Sequence, residues 1–209
     1  MESYRTVKQE TSAEFIEKRS KFIGYIKPVQ TEEEAIAFIQ SIKSKHWDAT
    51  HNVYAYSLRE GQTRRYSDDG EPQGTAGMPV LDVLLKAGLA DCAVMVIRYF
   101  GGTLLGTGGL VRAYSHSASL AVGAAKPVEM RPCVRLILRC DYARVGMAEP
   151  LILSCGGILD GTAYAEDVTL RFHMPFDRLP DFERQLTEKS AGRLAAVRED
   201  EAFYPFDLP

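Results

Sequence analysis

A chain of 209 residues with 45% apolar, 10% aromatic and 25% charged side chains lies inside the globular range, long enough for one large core or two small ones, so global disorder is excluded. The formal net charge of -3 advertises no global positive field, and any polyanion site has to be local. The longest apolar run, Cys92 to Ile97, is far shorter than the ~20 residues of a bilayer span, and the first thirty residues mix acids and bases without an apolar stretch. No membrane contact is expected, and the location is expected to be cytoplasmic. Cys92, Cys133, Cys140 and Cys155 form no C-x-x-C pair, and His46, His51, His116 and His173 are scattered, so neither a metal nor a cofactor is expected.

In chain order, Glu14 to Val29 reads as two strands joined by the basic turn Lys18-Arg19-Ser20-Lys21. Thr31 is a helix N-cap followed by Glu32, Glu33 and Glu34 in the first turn, with Ala35, Ile36, Phe38, Ile39 and Ile42 as the apolar stripe; the helix ends near Lys43 to Lys45. Val53 to Leu58 alternates as a strand, and the polar run Arg64 to Gly74 is expected to be an exposed loop. Thr75 to Gly88 predicts a buried helix that tolerates Pro79 only in its first turn. Cys92 to Tyr99, apolar on both faces, predicts a central strand, and a glycine-rich turn leads to a helix from about Gly109 to Val122. Pro127 and Pro132 are read as a junction, giving an α/β domain over 1–128 and a second domain over 133–209. The second orders as strand Val134 to Cys140, helix Arg144 to Ser154, strands Ile158 to Ala163 and Val168 to Met174, helix Leu179 to Lys189 and strand Leu194 to Arg198. That is the βαββαβ order of a ferredoxin-like domain, with Pro150 expected to kink or shorten its first helix. The fold class is α+β.

Three stretches could carry chemistry. The run from Arg98 to Tyr114 places Gly101, Gly102, Gly106, Gly108 and Gly109 between a buried strand and a helix, where backbone amides and the positive end of the helix can hold phosphate, with Arg98 and Arg112 closing on it. The spacing matches neither the Walker nor the Rossmann pattern, and a purely structural turn is the alternative. Asp68, Asp69 and Glu71 could ligate Mg²⁺, although turn chemistry and capping by Asp69 or Thr75 is the commoner role of such residues. His51 could serve as a base facing that loop, but no motif-defined nucleophile accompanies it. Basic Lys18-Arg19-Ser20-Lys21 and Arg64-Arg65 have Phe22, Tyr25 and Tyr66 as neighbours, a mixture suited to backbone charge and base stacking, or simply a solvated face.

Taken together, Lys18 to Ile23, Ala49 to Tyr56, Asp68 to Gly77, Arg98 to Gly102 and Leu105 to Leu110 resemble the IMPACT family in its bacterial two-domain, YigZ-type form. The resemblance implies a first domain like the second domain of a small-subunit ribosomal protein, as in elongation factor G domain IV. It implies a second domain like elongation factor G domain V. Eukaryotic members are translational regulators, so the resemblance implies a non-enzymatic binding protein near translation, contacting RNA, the ribosome or a translation-regulatory protein. Arg64, Arg65, Arg98, Arg112 and the glycine loop would then meet phosphate. The alternatives are a Mg-dependent enzyme acting on a phosphorylated small molecule or nucleotide, with phosphate on the glycine loop, and a protein-protein regulator.

Overall fold

A computed structural model describes residues 2–208. The chain separates into two compact units, one formed mainly by residues 4–129 and the other by 130–206.

The first unit opens with the short strand β1 (Tyr4–Val7). Its five-stranded sheet is built from β2 (Thr11–Glu17), β3 (Ser20–Pro28), β4 (His51–Ser57), β5 (Arg64–Ser67) and β6 (Cys92–Tyr99), in the order β2-β3-β6-β4-β5 with every neighbour antiparallel. Strand β6 is central because both its faces are apolar: Val94 and Val96 point to one core, Ala93, Met95 and Ile97 to the other. Helix α1 (Glu32–Lys45) seals the second face with Ala35, Phe38, Ile39 and Ile42, and Thr31 caps it by accepting the Glu34 backbone N–H. Helices α2 (Gly77–Lys86) and α3 (Thr107–Ala124) seal the first. Pro79 does lie in the first turn of α2, where its missing N–H costs nothing.

Part of the run expected to be a loop is a strand. Residues 64–67 pair with β4, and their charges, which argued for a loop, are those of an edge strand that repels further pairing.

The second unit contains β7 (Pro127–Cys140), α4 (Tyr142–Ser154), β8 (Ile158–Tyr164), β9 (Val168–Pro175), α5 (Leu179–Ser190) and β10 (Ala196–Asp207). Strand β10 pairs with β7, β7 with β9 and β9 with β8. That order, fourth-first-third-second, is ferredoxin-like. Both helices pack on one face, Leu151, Ile152, Phe182 and Leu186 against Leu136, Leu138, Leu170 and Phe172. Three local expectations change. Strand β7 begins at Pro127, where a missing N–H is tolerated at a strand start, and continues through Pro132. Helix α4 runs through Pro150 to Ser154. Strand β10 reaches Asp207, well past Arg198, because its acidic, half-exposed composition hides the strand period. Among the described residues, no helix is long and apolar enough to cross a membrane.

Candidate nucleic-acid interface

The site begins with one row of residues across the sheet. His51 on β4 stands opposite Arg98 on β6, Arg98 opposite Phe22 on β3, and Phe22 opposite Phe15 on β2. Arg98 is therefore buried, only 4% exposed, and cannot keep its charge there alone. Glu71 neutralises it: Arg98 Nη1 donates to Glu71 Oε1 at 2.6 Å, and the same oxygen accepts the Tyr114 hydroxyl at 2.7 Å. His51 Nε2 lies 3.6 Å from that oxygen, while His51 Nδ1 lies 2.8 Å from the Asp69 carbonyl. Burial and the Glu71 charge hold the Tyr114 hydroxyl far above the ordinary tyrosine range, so it stays a donor. Tyr114 and Ser20, which completes the cluster through Arg98 Nη2 at 3.4 Å, were not singled out in the sequence. Their partners are distant in the chain, and only the sheet register reveals them.

The acidic loop holds itself together. Asp68 Oδ2 accepts the Gly74 amide, and Oδ1 accepts those of Ala76 and Gly77 at the start of α2. Asp69 accepts the Asn52 amide at 2.6 Å and pairs with Lys43 at 3.2 Å. The Thr75 hydroxyl donates to the Pro72 carbonyl. Asp68, Asp69, Glu71, His51 and Thr75 thus form one internal brace with Arg98.

The solvent-facing cations lie beyond that brace. Lys18 and Arg19 form the two-residue turn between β2 and β3, with φ of 45° and 70°, a conformation for which Asn-Gly is the preferred pair. Placing two long cations in a left-handed turn costs of order 1–3 kcal/mol each, and such strain gathers at functional positions. Gly101 packs against this turn so closely that a Cβ there would lie 2.0 Å from the Arg19 carbonyl carbon. Its amide donates to Ser20 Oγ. The chain then passes Gly102 and Gly106, both at positive φ, into α3, whose N-cap Gly106 offers no side chain to its first-turn amides. Gly108 and Gly109 belong to that first turn. Here a cleft of about 340 Å³ is lined by Phe15, Glu17, Lys18, Leu105, Gly109, Arg112, Ala113 and His116, with His116 edge-on to Phe15 at 4.8 Å.

The residues read together from sequence therefore divide. Arg112 and Gly109 share the cleft with Lys18, whereas Arg98 lies inside the protein, paired to Glu71, and does not close on the same anion. Arg64 and Arg65 stand opposite Ser57 and Tyr56, at the Cys92 end of the sheet, separated from the Arg98 end by the length of β6, about 20 Å. Of the aromatic neighbours, Phe22 and Tyr25 are buried and offer no stacking face, while Tyr66 is exposed on β5. Sequence spacing could not place these groups because they sit on strands whose register is set elsewhere.

Residues 18–122 match the Impact N-terminal domain, and residues 138–193 match a domain of unknown function, DUF1949. The IMPACT family member YvyE of Bacillus subtilis is 38% identical over 98% of this chain and 94% of its own. The IMPACT family member YigZ of Escherichia coli is 34% identical over 88% of this chain and 92% of its own. A crystal structure described as that of a hypothetical protein superposes with a TM-score of 0.61 and 32% identity, covering 96% of this chain and 98% of that one.

Proposed function

The chain belongs to the IMPACT family, and on that premise we propose that it is a non-enzymatic regulatory binding protein acting near translation, whose first unit contacts RNA phosphate. The observation that carries this reading is the cleft at the start of α3, where Lys18, Arg112 and His116 meet the aromatic Phe15. A chain of net charge -3 has no general attraction for a polyanion, so its binding depends on a local cluster of this kind. Gly109, in the first turn of an 18-residue helix, brings the positive end of that helix to the rim of the cleft. The strained Lys18-Arg19 turn supports the reading further, since folding alone would favour Asn-Gly there. The link to translation comes from the regulatory role that the resemblance to eukaryotic members implies.

The test is a double variant, Lys18→Ala with Arg112→Ala, both exposed positions. Affinity for a fluorescent RNA oligonucleotide is expected to fall at least tenfold, with the melting temperature unchanged and wild-type binding weakening as salt rises. Equal affinity in the folded variant would overturn the assignment of this cleft.

A further inference from the structure

The turn between α1 and β4 carries a side chain the fold leaves outside. Trp47 is the only tryptophan of the chain and is 83% exposed, although an indole is among the largest apolar surfaces a protein can bury. At the end of the same turn, the Thr50 backbone N–H donates to the Arg98 carbonyl at 2.9 Å, and Thr50 Oγ1 accepts the Phe100 amide at 3.1 Å. The turn is thereby tied to the end of β6, where Phe100 is 45% exposed, with its ring centroid 5.4 Å from the Arg98 guanidinium carbon. One residue on, Gly101 joins the Lys18-Arg19 turn through Ser20, and the Arg112 cleft follows. Trp47, Phe100 and the Lys18-Arg19 turn therefore lie at one end of the sheet, whose strands from β4 through β6 and β3 to β2 span three spacings or about 14 Å, with Trp47 following α1 on one face and Arg112 on α3 on the other.

Single exposed apolar residues are ordinary on protein surfaces, but here two aromatics share one sheet end with the cations. We propose that this end binds single-stranded RNA, its unpaired bases stacking on Trp47 and Phe100 and its phosphates lying toward Lys18, Arg19 and Arg112. This rests on the RNA reading above and adds the requirement that the bases be unpaired. The chemistry selects the strand state. A duplex presents phosphates but keeps its base faces stacked on one another, whereas a single strand offers both a charged backbone and free π-faces, which pair with cations and aromatics respectively. A purely apolar protein contact would use the aromatics and leave the adjoining cations without a role.

Because Trp47 is the only indole, tryptophan emission reports this position alone. With the full chain at low salt, a short oligoadenylate is expected to quench that emission and to bind more tightly than the same strand paired with oligouridylate, while inorganic phosphate leaves the emission unchanged. Trp47→Ala is expected to weaken oligoadenylate binding about five- to a hundredfold, the range seen when a stacking aromatic is truncated, and to leave duplex binding unaltered. Trp47→Phe should restore most of the loss, and Phe100→Ala should reproduce it in part with an unchanged melting temperature. If oligoadenylate binds wild type and Trp47→Ala alike, or binds without altering the emission, the stacking proposal fails while the RNA reading stands; a protein-docking patch would give that result. If neither single strand nor duplex binds, both fall.

Discussion

Glu71 is the residue on which the interior of the site turns, because one of its oxygens accepts from both Arg98 and Tyr114 in a setting where neither the Glu71 nor the Arg98 charge reaches water. Removing one member of a buried pair strands the other, at a cost of about 3–5 kcal/mol, whereas removing both can cost far less. Glu71→Gln is therefore expected to be strongly destabilising alone, and less so when combined with Arg98→Met. Urea melts of the two single variants and the double variant, assembled into a mutant cycle, measure the coupling; additive effects would show that the pair carries none. Asp68 makes a different kind of contribution. Its carboxylate accepts three backbone amides, from Gly74, Ala76 and Gly77. Asp68→Ala is expected to lose about 0.5–2 kcal/mol of stability, as a lost helix cap does, which thermal melts would read. Turn and cap chemistry was read for the acidic run with Asp69 or Thr75 as the cap, but it is Asp68 that accepts the amides at the start of α2. The Glu71 to Arg98 contact was not legible, since its partners lie 27 positions apart and meet only after β4 and β6 pair.

At the scale of elements, the C-cap of α1 contains a titratable relay. The Tyr25 hydroxyl lies 2.8 Å from His46 Nε2, His46 Nδ1 lies 2.9 Å from the Tyr99 hydroxyl, and Tyr99 donates to Asp48 at 3.1 Å. With Tyr25 donating to Nε2 and Nδ1–H donating to Tyr99, the neutral ring satisfies both nitrogens. Burial first, then the neighbouring Lys45, holds the His46 pKa below its ordinary value, Asp48 opposing and Lys21 adding slightly. The folded protein thus binds fewer protons than the unfolded chain. The resulting stability is complete above the unfolded value near 6.5 and is lost as pH falls through the depressed folded value. Melts of wild type are expected to show a lower stability near pH 5 than at pH 7.5, and His46→Gln should lose that part of the difference; an identical pH response in the variant would exclude His46 as its source. Elements with one strong apolar stripe, such as α1, or two apolar faces, such as β6, were readable from sequence. Edge strand β5 was not, and β10 was read only at its start: both carry charges on half-exposed backbones, so the signal that marks them as edges also conceals them as strands.

For the whole molecule, charge balance sets how RNA binding must respond to salt. A net charge of -3 gives no long-range attraction, so the response measures the few cations at the site rather than the protein's overall field. Lys18, Arg19 and Arg112 are the cations beside the cleft and its turn, while Arg64 and Arg65 stand at the other end of the sheet. Each neutralised phosphate of a single strand contributes about -0.7 to the slope of log affinity against log salt, so three contacts predict a slope near -2. Lys18→Ala with Arg112→Ala should bring it close to -0.7, whereas Arg64→Ala with Arg65→Ala should leave it unchanged. A Trp47→Ala variant separates the two kinds of contact, since stacking contributes affinity without releasing counterions: its binding should be weaker at every salt concentration but parallel to wild type. Titrations of oligoadenylate over a range of salt concentrations would measure all four slopes. A wild-type slope much steeper than -2, reduced by the Arg64 and Arg65 changes, would show that the polyanion follows the β5 edge, and would move the interface to the opposite end of the sheet.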